Sequence, residues 1–120
     1  MISNIDTDIL KDISLLLQER LAFCSLLEYY PTNYNADVEV KSKAYLRQPV
    51  AWRVVGDGLM VNKDKVVFIG LEEPTVVMAI GLHSDQHSHR VNAWGALGTS
   101  MRATNNRLVI PANTLAVRVG

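Results

Sequence analysis

The sequence of 120 residues has one cysteine, 7% aromatic residues and no excess of either charge. A single cysteine, Cys24, excludes an internal disulfide and a zinc site built from several cysteines. Twelve basic side chains balance twelve acidic ones, which argues against a protein that binds nucleic acid by neutralising phosphates. No apolar run approaches the roughly 20 residues that a membrane-spanning helix needs, and no basic signal peptide opens the chain. We therefore expect one neutral globular domain that binds neither nucleic acid nor membranes.

Motifs of common catalytic sites are also missing. No serine lies in a Gly-x-Ser-x-Gly pattern, and neither a Walker loop nor Gly-x-Gly-x-x-Gly occurs. Cys24 lies in an apolar run, where burial raises the pKa of a thiol and the side chain packs as a small hydrophobe. Glu72 and Glu73 precede Pro74, a pattern typical of a solvated turn rather than of paired catalytic carboxylates. The sequence predicts a protein that is not an enzyme and needs no cofactor.

Residues 1–20 predict an amphipathic helix. Its apolar side chains recur at helical spacing and, at about 100° per residue, cover an arc of roughly 160°. Asn4, Asp6 and Thr7 are candidate N-caps, and Asp6 and Asp8 suit the positive end of the helix dipole. We expect the helix to pack on the sheet of its own domain, with partner binding as the alternative. The apolar positions are Ile5, Ile9, Leu10, Ile13, Leu16, Leu17 and Leu21.

Residues 21–120 have the pattern of a β domain. Residues 21–30 have no polar stripe, so both a buried strand and an extension of the helix remain open. From Val38 to Val54, apolar side chains occupy mostly even positions and charged ones odd positions, which predicts a sheet with one solvated face. Pro49 interrupts it, so we expect two strands or one bent strand, with a break or an edge there.

Further short runs rich in β-branched or aromatic residues follow, separated by turn formers. Asn105 and Asn106 tolerate the positive φ of a tight hairpin turn. About seven to nine short strands and no alternation with helices indicate an antiparallel β-sandwich or jelly-roll-like domain with one N-terminal α-helix. The runs are residues 65–69, 75–82, 91–97, 108–110 and 115–119.

Three histidines form the most suggestive cluster of candidate ligands. His83, His87 and His89 could converge on zinc if their loop curled, with Asp85 as an oxygen ligand, as in a small β-barrel metalloenzyme. The other interpretation is a polar hairpin tip, which tolerates histidine without binding a metal. Because a flexible loop rarely supplies second-shell support, we expect no metal site.

Tyr45 and Arg47 form a second candidate site. The alternation places both side chains on the face opposite the core, where Tyr and Arg could contact a neighbouring subunit. Alternatively, Arg47 lies over Tyr45 or pairs with an acidic side chain, and Gln48 bonds to backbone groups at the sheet edge. Both interpretations stay open. The candidate interface residues are Ile9, Ile13, Leu16, Tyr45 and Arg47.

Two short motifs, Tyr45-Leu46-Arg47-Gln48 and Trp94-Gly95-Ala96-Leu97, carry a resemblance to a known family. The sequence resembles small tailed-phage virion proteins of the minor capsid, head-decoration or tail-fibre-like kind. It departs from the family pattern at residues 26–30 and in the loop of residues 32–37. Other matching elements are Val50-Ala51-Trp52, Val66-Val67-Phe68, residues 76–82, residues 83–90 and Ile110-Pro111-Ala112.

The resemblance implies a non-catalytic structural protein of the virion that contacts other virion proteins. Such proteins act in many copies on symmetric assemblies, so we expect a cyclic homo-oligomer. The alternative is a receptor- or glycan-binding module of a tail fibre. Its candidate contacts are the tyrosines beside the polar loop, which are Tyr29, Tyr30 and Tyr34.

Overall fold

The computed structural model describes residues 6–56 and 58–118. The described residues form a mainly β, antiparallel fold with one N-terminal helix, which confirms the predicted fold class. The elements are α1 (Thr7–Arg20), β1 (Phe23–Leu27), a 3₁₀-helix (Ala36–Val38), β2 (Gln48–Pro49), β3 (Trp52–Gly56), β4 (Leu59–Asn62), β5 (Val66–Phe68), β6 (Val76–His83), β7 (Ala93–Arg102), β8 (Leu108–Ile110) and β9 (Ala116–Arg118).

The strands form antiparallel sheets that enclose a common core. The strand orders are β2-β1-β6-β7, β3-β4-β9 and β5-β8. The core takes buried side chains from all three sheets, among them Leu26, Met60 and Phe68. Trp52 also reaches across it, because its indole Nε1 donates to the carbonyl of Leu21 over 2.8 Å. Packing of sheet faces on a shared apolar layer is the principle of a β-sandwich.

Helix α1 is capped at its N-terminus by Asp6, one of the predicted N-caps. The Asp6 Oδ1 atom accepts a hydrogen bond from the backbone amide of Asp8, 2.9 Å away. Leu17 packs on the core, and the Asn92 side chain donates to the carbonyl of Arg20 over 2.8 Å. The helix is therefore attached at its C-terminal end. Asn4 and Ile5, which belong to the predicted helix, lie outside the described residues.

Residues 21–30 contain strand β1, which decides between the two alternatives for this segment. Strand β1 lies between β2 and β6 in the four-stranded sheet. Cys24, Ser25, Leu26 and Leu27 are all fully buried. Both faces of the strand are covered, which explains why its sequence has no polar stripe.

The period-two prediction for residues 38–54 holds at Val40, Val50 and Trp52, which are buried. It is wrong at Ala44, Leu46 and Val54, which are exposed. A turn, in which the Tyr45 amide donates to the Ser42 carbonyl over 3.0 Å, shifts the phase of the alternation. After it, Leu46 is 60% exposed and Arg47 only 6%, the reverse of the expected order. The expected interruption at Pro49 is confirmed, since β2 ends there and forms the edge of its sheet.

The C-terminal half follows the predicted strands and turn. Asn105 and Asn106 have φ values of 54° and 60°, and the flanking Thr104 and Arg107 exchange two backbone hydrogen bonds. This is the two-residue hairpin turn that asparagines favour. Strand β7 is longer than predicted and runs to Arg102, because a register shift against β6 accommodates the extra residues.

A second apolar layer covers the face of the four-stranded sheet that points away from the core. The loop of residues 28–38 and the loop of residues 84–92 are joined there by backbone bonds from Ala36 to His89 and from Val91 to Tyr34, each 2.9 Å long. Leu27, Ala79 and Val91 are fully buried, although none of them belongs to the main core. The chain thus covers this face of the sheet with its own loops.

Gly81 of β6 lies in this second layer, and its substitution tests how tightly the layer is packed. A methyl group at Gly81 would collide with the Ser25 Oγ atom and lie 3.2 Å from His83 Nε2, so Gly81→Ala should lower the free energy of unfolding by about 1–3 kcal/mol. Gly98→Ala is the matched control, since its methyl group would meet nothing within 4 Å; it should change stability by less than about 1 kcal/mol. Urea unfolding measures both, and equal effects would contradict the tight packing.

Candidate functional site

His83 is fully buried at the end of β6 and forms two hydrogen bonds. Its Nδ1 atom lies 2.9 Å from the carbonyl oxygen of Arg90, which can only accept, so Nδ1 carries the proton. Nε2 then accepts from the hydroxyl of Ser25 over 2.6 Å. Burial lowers the pKa of His83, partly offset by the bond to the Arg90 carbonyl. Ser25 and His83 thus form a neutral pair that joins β1 to β6, and both side chains are closed off from solvent.

His87 and His89 are exposed and do not join His83 in a cluster. His89 Nε2 lies 2.9 Å from the Asp37 carboxylate at the surface. Asp85 accepts from the backbone amides of Ser88 and His87, and these bonds lower its pKa. Within residues 6–56 and 58–118, no three His, Cys, Asp or Glu side chains come together in an arrangement that could hold a metal ion.

Arg47 and Glu39 form a bidentate ion pair beneath the surface. Arg47 Nη2 lies 2.8 Å from Glu39 Oε1, and Arg47 Nε lies 3.0 Å from Oε2. The Tyr45 hydroxyl donates to Glu39 Oε2 over 2.6 Å and accepts from the Leu26 amide over 3.1 Å. The expectation that Tyr45 and Arg47 face away from the core is therefore wrong. The alternative in which Arg47 pairs with an acidic side chain is the arrangement observed.

The surroundings of the Tyr45 hydroxyl and the Cys24 thiol disfavour their reactive, anionic forms. Burial, followed by the negative charge of Glu39, raises the pKa of the Tyr45 hydroxyl well above its usual range. The same two effects raise the pKa of the fully buried Cys24 thiol. Neither group forms an anion near neutral pH, so the expected role of Cys24 as a small core hydrophobe agrees with its position. The tyrosine ring instead packs against Phe68, with ring centroids 6.1 Å apart.

A polar cleft of about 350 Å³ lies above the ion pair. Gln86, His87 and His89 line its rim, and the Gln86 amide donates to the Arg47 carbonyl over 2.9 Å. The charges at its floor neutralise each other, because Glu39 already accepts from both Arg47 and Tyr45. Glu39 could not be singled out from sequence, because its place in the alternation predicts a solvent-facing charge and only the turn of the chain brings it to Arg47.

The helix leaves part of its apolar surface uncovered. Ser14 is buried and Leu17 packs on the core, so this side of α1 faces the domain. Ile9 and Leu16 are 53% and 51% exposed, and Ile13 between them is half-buried. The predicted packing on the domain therefore accounts for only one part of the apolar arc. We call the exposed set Ile9, Ile13 and Leu16 the helix flank.

A groove of about 480 Å³ separates β7 from β9. Residues 93–97 form one wall and residues 114–118 the other, with Trp52, Ile80 and Leu82 among the lining side chains. Strand β7 is the last strand of its sheet and β9 the last of another, so two sheet edges border the groove. Sequence patterns could not reveal this groove, because it arises from strand order. We call it the edge groove.

Exposed aromatic rings lie beside the loop of residues 28–38. Tyr29 and Tyr34 are 70% and 53% exposed. Tyr30 is 50% exposed and stacks on Trp94 of β7, with ring centroids 5.5 Å apart. The stacked pair keeps the loop against the sheet and presents an aromatic surface to solvent.

Comparisons with family models, curated proteins and solved structures each found no match to this chain. In the part of the chain that the structure describes, no helix is long and apolar enough to cross a membrane. We therefore infer the function from the surfaces described above.

The burial of His83 predicts how the stability of the fold depends on pH. Its folded-state pKa is lowered, so below the ordinary value of about 6.5 the unfolded chain binds protons more readily than the folded one. The stability that this group contributes is complete above about pH 6.5 and is lost as the pH falls towards its lower folded-state pKa.

We expect the free energy of unfolding to fall between about pH 7.5 and pH 5.5, and to fall less in His83→Gln. His87→Gln is the matched control, because His87 is an exposed histidine of the same loop, and only His83→Gln should flatten the slope. Urea titrations over this pH range give the three slopes. Equal slopes for His83→Gln and the unaltered chain would show that His83 is not the titrating group.

Proposed function

We propose that this chain is a non-catalytic structural protein of a tailed-phage virion, which acts through self-association and docking on the particle. The observation that carries the proposal is the helix flank, an apolar surface that its own domain leaves open. A tailed-phage virion is the particle we propose because two motifs resemble those of virion proteins. These motifs are Tyr45-Leu46-Arg47-Gln48 and Trp94-Gly95-Ala96-Leu97. A head-decoration, minor capsid or fibre-like position is consistent with a small domain that presents docking surfaces.

The helix flank fits a second copy of this chain. Ile9 and Leu16 lie seven residues apart on one side of the helix, with Ile13 between them. Complete burial of such a side chain from full exposure contributes about 1.5–3 kcal/mol. Ile9 and Leu16 are each about half exposed in one copy, so pairing contributes about half of that for each. A two-fold axis through the middle of the flank places Ile9 of one copy against Leu16 of the other. The two flanks are then a self-complementary contact.

Charge and helix dipole favour the same antiparallel pairing. Asp6 and Asp8 stand at the N-terminal end of α1, and Arg20 stands at its C-terminal end. When two copies pair antiparallel, the acidic end of each helix approaches the arginine end of the other. The opposed dipoles are then also favourably aligned.

Substitution of the flank tests the self-association. Both side chains are about half exposed in one copy, so Ile9→Asp combined with Leu16→Asp should leave the domain folded and produce a monomer. Leu15→Asp is the matched control: it places the same charge at a side chain that is 58% exposed, on another side of the same helix, and should keep the oligomer. Light scattering gives the mass, and circular dichroism reports folding.

Two results would contradict the role of the helix flank. Loss of folding in the double variant would show that these side chains belong to the core. An unchanged oligomer would show that a different surface joins the copies.

A receptor- or glycan-binding module of a tail fibre is the second candidate, and one observation favours it. The exposed pair Tyr30 and Trp94 offers the aromatic surface on which sugar rings pack. A glycan array distinguishes the candidates. Binding that Tyr30→Ala abolishes would favour the glycan module, and absence of binding to any glycan favours the assembly protein.

A further inference from the structure

We propose that the edge groove binds an extended strand of a different protein chain, which adds to the edges of β7 and β9 together. This inference goes beyond self-association through the helix flank, since it concerns other residues and another partner. It would give the domain a specific site for a neighbouring component of the particle.

The walls of the groove supply the first argument. Within the described residues, β7 pairs only with β6, and β9 pairs only with β4. Five consecutive residues of the chain line each wall, namely 93–97 and 114–118. A strand at the edge of a sheet leaves half of its backbone N–H and C=O groups without a ladder partner. An extended peptide is the ligand that satisfies such groups on both of its own sides.

The side chains that line the groove determine which side chains a bound peptide must have. Trp52, Ile80 and Leu82 are 8%, 4% and 7% exposed and belong to the main core. Successive side chains of a strand point to opposite faces, so every second residue of a bound strand would lie on this apolar surface. The bound strand therefore needs apolar side chains at alternate positions.

The few charges along the groove further restrict the chemistry of the partner strand. Sheet edges usually carry charged side chains that prevent pairing with other chains. Residues 91–101, which contain most of β7, have none. Among the residues that line the groove, Arg118 alone is charged. We therefore expect a strand whose one charged group is a carboxylate placed near Arg118.

The strand belongs to a different protein rather than to a second copy. Each of the nine strands in the described part of the chain is already paired within its own sheets. A strand that pairs with β7 and β9 together needs both of its edges free, whereas each described strand of a second copy already pairs along at least one edge, so none of them is a spare strand of this kind. An extended arm of another protein has one.

Gly95 provides a way to close the groove without disturbing the fold. It pairs with Ile80, and directly paired residues of antiparallel strands point to the same face, here the face of the core and the groove. A Cβ atom at Gly95 meets nothing within 4 Å, so Gly95→Leu should fill the groove from β7. Gly98 also has open space around its Cβ position but does not line the groove, which makes Gly98→Leu the matched control.

The experiment uses a synthetic peptide in which valine alternates with threonine and which ends in aspartate. Trp52 lines the groove, so tryptophan fluorescence reports binding to the full-length chain. We expect saturable binding to the unaltered chain and to Gly98→Leu, and at least a tenfold loss of affinity in Gly95→Leu. The same peptide with N-methyl groups on alternate backbone amides should also bind at least tenfold more weakly, because it cannot complete the ladder.

Four results would overturn the proposal. The first is no binding to the unaltered chain at about 1 mM peptide, the weakest affinity of interest. The second is equal affinity in Gly95→Leu, and the third is equal affinity for the N-methylated peptide, which would indicate an apolar cavity without strand pairing. The fourth is a change in oligomer mass in Gly95→Leu, which would assign the groove to a second copy. None of these results concerns Ile9 or Leu16, so failure here is distinguishable from failure of the helix flank.

Discussion

The ion pair between Arg47 and Glu39 holds the long irregular segment between β1 and β2 against the four-stranded sheet. Glu39 forms a backbone bridge with Leu27, and Arg47 donates to the carbonyl of Asp85 in the opposite loop. Removal of one member of a buried pair leaves the other charge uncompensated, at a cost of about 3–5 kcal/mol. The pair therefore connects the two loops that cover the outer face of the sheet and close off His83 and Ser25.

Because loops cover that face, the apolar surfaces left open are elsewhere. The helix flank is proposed to pair with a second copy, whereas the edge groove, which two sheet edges border, is proposed to bind an extended strand. In the proposed function, each serves as a docking surface of the kind that a structural component of a particle uses. The two surfaces use different residues, so one domain could join its own copies and contact a neighbouring protein.

The local elements could be predicted from sequence, because each depends on nearby residues. Asp6 caps the helix, Pro49 ends an edge strand and Asn105-Asn106 forms a hairpin turn for reasons that lie within a few residues. Arg47 could not be placed, because a turn at Ser42 shifts the alternation and its partner Glu39 lies eight residues away. The edge groove depends on which strands end their sheets, and no local pattern encodes this. The burial of His83 had one signal, its position directly after an apolar run.

The mass of the unaltered chain in solution, measured by light scattering over a range of concentrations with and without a metal chelator, tests the central claim most directly. We predict a stable oligomer of closed symmetry whose mass the chelator does not change. A monomer at every concentration would contradict self-association as the basis of function. Loss of structure on removal of metal would contradict the expectation that the chain binds no metal.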